Sequence, residues 1–193
     1  MSKRYRLDMP KIVATKEEWI KLGYKLFSEL GERGIVVDRM SDKLKCNKSS
    51  FYWHFKSKRK FIESIINYWE QSETADIIHQ VNSVTQPKKK LLKLIEIVFH
   101  KDSNLDFIFF LKRYAKTNTS ISNKIDQIDK ERIAYVTDIL KGIGHDKKAA
   151  NLKAEIFYKY LIGYHEMIRY KKQRKGYVQE VLKEINQFIT LTK

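Results

Sequence analysis

The stretch Lys48-Ser49-Ser50-Phe51-Tyr52-Trp53-His54-Phe55 carries the residue types best suited to molecular recognition. Its first turn holds cationic and hydroxyl side chains. Such groups can reach base edges in the major groove of a duplex. Phe51 and Phe55 lie four apart, so on a helix they share one face and can anchor it to a core. Lys48, Ser49, Tyr52 and His54 are then left to meet a partner. Lys56, Lys58, Arg59 and Lys60 follow at once, near the start of another helix. Cations there oppose the helix dipole, at roughly some tenths of a kcal/mol each. Their placement is sensible beside phosphates.

The charge balance points the same way. The chain has 193 residues and a formal net charge of +16. Residues 1–60 hold 16 Lys+Arg against 7 Asp+Glu, a net of +9, so the first third carries more than half of the excess. A concentrated positive field suits a polyanion such as nucleic acid.

Catalytic constellations are missing from the sequence. The five histidines, His54, His79, His100, His145 and His165, form no H-E-x-x-H, and no paired cysteines offer metal-ligand spacing. Gly142-Ile143-Gly144 lacks the rest of a phosphate-cradling loop, and there is no G-x-S-x-G elbow. The reading is therefore of a non-enzyme with neither cofactor nor metal. The single cysteine, Cys46, rules out an internal disulfide and suits a packing role. No run of 18 apolar residues suggests a membrane span, and Met1 to Arg6 is not followed by the apolar run of a secretory signal. A cytoplasmic protein is expected.

The elements that must position these residues read as helices nearly throughout. Thr15-Lys16-Glu17-Glu18 is a capping box, followed by Trp19, Ile20, Gly23, Phe27 and Leu30 at helical spacing. Gly31 and Gly34 stop that helix. A short helix from Val37 to about Leu44 follows, then a three-residue turn, Lys45-Cys46-Asn47, with Asn47 capping a helix from Lys48 to Phe55. Ser57 caps the next. Pro87 opens a helix bearing Leu91, Leu94, Ile95 and Phe99, and Phe107, Phe110, Leu111 and Tyr114 mark another. Ser120 or Ser122 opens a long helix ending at Gly142 and Gly144. Asp146 caps one running to about Tyr170, and Val178 to Ile189 form the last. The fold class is all-α with about nine helices: a three-helix unit at 13–60, then a larger bundle at 61–193.

Two short helices joined by a tight turn form a helix-turn-helix. Residues 15–61 resemble the N-terminal DNA-binding domain of TetR-type transcriptional regulators. The resemblance rests on Leu26-Phe27 with Gly31 and Gly34, then Asn47 to Lys58, where Tyr52 to Lys58 gives the specific pattern Tyr-x-His-Phe-x-x-Lys. It covers about a quarter of the chain. The remainder is similar to that family's helical ligand-binding domain in helix count and length.

The resemblance implies a homodimer whose two third helices enter successive major grooves of a palindromic double-stranded DNA operator. Lys48, Ser49 and Ser50 would approach bases, and Tyr52, His54 and Lys58 would hold phosphates. A small apolar or aromatic ligand in the bundle would release a repressor. The alternative is a ligand-independent DNA-binding activator or architectural protein. Trp69, Phe99, Phe107, Phe110, Tyr114, Tyr135, Phe157 and Tyr160 are the candidate pocket aromatics. The helix from Asp146 is apolar on two sides, which suggests that it pairs with the last helix to form the dimer interface; no membrane partner is expected. Two residues depart from the family pattern. Val36 stands where a capping Thr is usual. Lys45 stands where Gly is favoured, so it is predicted to adopt a left-handed conformation and to add a phosphate contact that glycine cannot make.

Overall fold

The computed structural model describes residues 13–100 and 106–189. The amino-terminal segment read for a secretory signal lies outside them. The described residues form helices α1 (Lys16–Leu30), α2 (Val37–Leu44), α3 (Ser49–Phe55), α4 (Lys58–Glu70), α5 (Asp76–Asn82), α6 (Pro87–Val98), α7 (Asp106–Ala115), α8 (Thr119–Ile143), α9 (Lys147–Ile168) and α10 (Tyr177–Ile185). A π-helical turn, Gln71–Ala75, joins α4 to α5 without a break, so the described residues make nine continuous helical rods and no strand. The all-α reading therefore stands. The chain divides into two compact units between Tyr68 and Trp69, inside α4.

In the first unit the capping box forms. Thr15 N–H donates to Glu18 Oε2 at 2.6 Å and Glu18 N–H to Thr15 Oγ1 at 3.2 Å. The Thr15 amide hydrogen bond holds the Glu18 carboxyl below the usual carboxylate range. Trp19, Phe27, Met40, Phe51, Phe61, Ile62, Ile65 and Ile66 are fully buried, making one core from α1, α2, α3 and the start of α4. Leu30, expected inward, is 56% exposed, because the chain turns away at Gly31 with φ 63°. Gly23 sets how closely α1 and α4 approach. A Cβ there would lie 2.4 Å from Phe61 Cζ and 2.8 Å from Ile65 Cδ1.

The second unit packs α6, α8, α9 and α10 around Leu91, Ile95, Phe99, Leu140, Ala150, Ala154, Phe157, Val181 and Ile185. Asp146 Oδ1 accepts from Lys148 and Ala149 N–H and so caps α9. The cap of α8 is Asn118, accepting from Ile121 N–H, rather than the expected Ser120 or Ser122. Asp129 and Arg132 stand three apart on α8, the spacing of an intrahelical ion pair, but take separate partners. The Arg132 guanidinium lies 4.8 Å from the Trp69 ring centroid and donates to Thr74 Oγ1 at 2.8 Å and Glu73 O at 3.1 Å. It thereby satisfies groups of the π-helical turn. Asp129 instead accepts from Tyr158 O–H at 2.5 Å and pairs with Lys112 at 3.6 Å. Burial pushes the Tyr158 hydroxyl up to about 12, and the Asp129 hydrogen bond adds to the shift.

The Gly23→Leu variant should lose about 3 kcal/mol of stability through overpacking against Phe61, read by denaturant unfolding. Its circular dichroism should still show helices.

Candidate nucleic-acid interface

The interface is built on α2, the turn after it, and α3. Val36 precedes α2 with no side-chain cap, as its lack of a hydroxyl dictates. Lys45 follows α2 at φ 51°, ψ 42°, the left-handed conformation expected for the residue standing in place of glycine. Its N–H still closes α2, donating to Asp42 O at 3.1 Å. The conformation costs about 1 kcal/mol for a residue with a Cβ. Asn47 Oδ1 accepts from Ser49 N–H at 2.8 Å, so α3 begins at Ser49, one residue later than the sequence suggested.

Packing decides which side of α3 faces out. The Phe51 ring lies 5.3 Å from Trp19, 5.3 Å from Phe55 and 5.0 Å from Phe61 between centroids, mostly edge-on. Phe51 and Phe55 are 0% and 3% exposed, so that face is committed to the core. Lys48, Ser49, Tyr52 and Trp53 are exposed. The two aromatics among them are 51% and 70% exposed. Trp53 was not singled out from the sequence. It could have been, since it lies two residues from both Phe51 and Phe55 and hence opposite their face.

Two expected contacts are placed differently. Ser50 is buried, and its hydroxyl both donates to Ala14 O at 3.1 Å and accepts from Trp19 Nε1 at 3.3 Å. Position i+1 from Ser49 turns inward beside Phe51, so Ser50 fastens α3 to α1 and cannot approach a base. His54 is half-buried, with Nε2 3.0 Å from the same Ala14 carbonyl. That nitrogen is occupied by the chain itself rather than offered to a phosphate.

The cations differ in their engagement. Lys48 Nζ lies 3.2 Å from Asp38 Oδ1, and Lys58 Nζ lies 3.3 Å from Glu32 Oε1. These pairs are exposed and weak, so either lysine can leave its carboxylate for a phosphate. Lys60 and Arg59 both reach Glu63, whose carboxyl the Lys60 hydrogen bond holds low. Lys45 and Lys56 are exposed and face no carboxylate within ion-pair distance among the described residues. Lys56 follows α3 at φ 63°, ψ −35°.

Five of the eight candidate pocket aromatics pack on one another. Trp69 packs on Phe107 with centroids 5.5 Å apart, and both are buried. Phe99 centres another group, 5.7 Å from Phe157 and 5.4 Å from Tyr160. Tyr160 also donates to Glu184. Tyr135 O–H donates to Asn82 Oδ1, while Phe110 and Tyr114 are half-buried on α7. An open groove of about 420 Å³ between α6 and α10 is lined by Lys89, Leu92, Lys93, Glu96, Val178 and Leu182, none of them among the eight. Among the described residues no group of three or more His, Cys, Asp or Glu could hold a metal ion, and no helix is long and apolar enough to cross a membrane.

No family profile matches the sequence, and no curated protein does either. Solved structures do match. A transcriptional regulator from Rhodococcus aligns over 92% of this chain and 97% of its own, with TM-score 0.77 and 14% identity. A TetR transcriptional regulator from Legionella pneumophila aligns over 92% and 96%, with TM-score 0.72 and 17% identity. AibR, solved in complex with isovaleryl coenzyme A and operator DNA, aligns over 90% and 97%, with TM-score 0.67 and 13% identity. The helix order, the helix-turn-helix and this near-complete overlap lead to one conclusion: the chain has the fold of the TetR-family transcriptional regulators.

Proposed function

We propose that this protein is a sequence-specific DNA-binding transcriptional regulator, acting as a homodimeric repressor that a small-molecule ligand releases from a palindromic operator. The observation that carries the reading is the two-faced α3. Phe51, Phe55 and Ser50 lock one side into the core, and Lys48, Ser49, Tyr52 and Trp53 stand exposed on the other. A rigidly held helix with a cationic, hydroxyl-bearing and aromatic outer face suits a major groove. AibR, of the same fold, was solved on operator DNA. In this reading Lys48 and Ser49 read base edges and Tyr52 and Lys58 hold phosphates, with Trp53 beside them.

The dimer is supported by α9. Its inner face carries Ala150, Ala154 and Phe157, all buried. Its outer stripe carries Leu152, Ile156 and Met167, exposed by 57%, 37% and 69%. Gly163 lies in the same stripe with open space where a Cβ would be, which allows another helix to approach closely. A second copy, meeting this face and α10, would cover it. The ligand reading is supported by the aromatic content of the second unit and by the acyl coenzyme A bound to AibR. Release requires that the ligand prefer a conformation mismatched to the operator.

Two outcomes test these statements. Tyr52→Ala should leave the melting temperature unchanged and weaken binding to a duplex selected by the wild type by roughly 10- to 100-fold, the worth of a hydrogen bond to a charged group. Unchanged affinity would remove α3 from the interface. Leu152→Glu combined with Met167→Glu should convert a dimer at micromolar concentration to a folded monomer by light scattering. A wild-type monomer at that concentration would remove the dimer from the account.

A further inference from the structure

Two residues other than glycine take positive φ among the described residues, and both are lysines: Lys45 at 51° and Lys56 at 63°. The remaining positive-φ positions, Gly31, Gly144 and Gly176, are glycine, as the backbone prefers. The two lysines are not scattered. One lies in the turn before α3 and the other is the first residue after it. Strained backbone kept at an exposed site, where glycine would relieve it, points to a use for the side chain.

Their chemistry suggests what that use is. Both are exposed, and neither has an ion pair or side-chain hydrogen bond to the described residues, whereas Lys48, Lys58, Arg59 and Lys60 all reach carboxylates. Each lysine N–H is already spent locally, to Asp42 O at 3.1 Å and to Tyr52 O at 3.1 Å, which helps to hold the backbone conformation. Lys45 ends α2, in the turn that leads to α3, and Lys56 directly follows the seven-residue α3. The two cations therefore flank the helix that would enter a major groove, with side chains long enough to reach the backbone phosphates beside it.

We propose that Lys45 and Lys56 form a pair of phosphate-binding residues bracketing α3, kept as lysine against the backbone's preference for glycine. This rests on the DNA-binding reading above and adds Lys56 to it. Their contribution is electrostatic and sequence-independent. They set how firmly α3 is seated, while the outer face of α3 sets which sequence is chosen.

The test uses the full chain, a duplex selected by the wild type from a random pool, and a scrambled duplex of equal length. Affinity is measured from 50 to 200 mM salt for wild type, Lys45→Gly, Lys56→Gly, Lys45→Arg and Lys56→Arg. Each glycine variant should melt at or above the wild-type temperature. Each should bind both duplexes roughly five- to tenfold more weakly near 0.1 M salt, with the log–log salt slope shallower by about 0.9. The arginine variants should retain wild-type affinity and slope. Glycine variants with unchanged affinity and slope would overturn the proposal. So would glycine variants that melt lower, since the lysines would then serve the fold. A wild type that selects no duplex and binds none would instead remove the DNA-binding reading, and this proposal with it.

Discussion

The burial of Phe51 is the constraint on which the proposed interface depends. Its ring is fully buried against Trp19, Phe55 and Phe61. Once that side chain is fixed, the 3.6-residue repeat leaves little freedom for the rest of α3. Ser50 must turn inward with it, and Tyr52 and Trp53 must turn outward. The hydrogen bonds from Ser50 and His54 to the Ala14 carbonyl secure the same orientation from the start of α1. The proposed role of α3 needs this fixity, because a side chain free to roll with its helix cannot hold a base edge at hydrogen-bond distance.

The backbone around α3 is less comfortable than its core. Val36 supplies no cap to α2, and Lys45 and Lys56 occupy conformations that glycine would take at lower cost. The buried aromatic cluster is large enough to tolerate these local penalties. Stability is thus concentrated in the side of α3 that faces inward, and the flanking turns are free to carry cations. In the second unit Arg132 plays a comparable anchoring part. It ties the π-helical turn to α8 through Thr74 and the Glu73 carbonyl, beneath the cation–π contact with Trp69.

Much of this was legible in the sequence, and the reasons are local. Caps and stops are short-range chemistry, so Thr15 with Glu18 and Asp146 could be read directly, while the left-handed Lys45 followed from the resemblance to the family pattern. The apolar spacing of Phe51 and Phe55 likewise gave the buried face of α3. What escaped depended on partners distant in sequence. Nothing within α3 reveals that Ala14, 36 residues away, claims the Ser50 hydroxyl. Spacing alone would pair Arg132 with Asp129, three residues away, but its donors are taken by residues 58 and 59 positions earlier. The aromatics of the second unit could be singled out from the sequence, while their pairing, Trp69 with Phe107 of α7 and Phe99 at the end of α6 with Phe157 and Tyr160 of α9, needed the tertiary packing.

The exposed face of α3 offers its own probe. Of the three tryptophans, Trp19 and Trp69 are 0% and 4% exposed, whereas Trp53 is 70% exposed. Quenching of tryptophan emission by acrylamide therefore reports mainly on Trp53. It should be measured with and without a saturating amount of a duplex selected by the wild type. The account expects the quenchable fraction to fall sharply as DNA covers α3. A quenchable fraction unchanged while the duplex is demonstrably bound would mean that another surface meets the DNA, and would contradict the account at its centre.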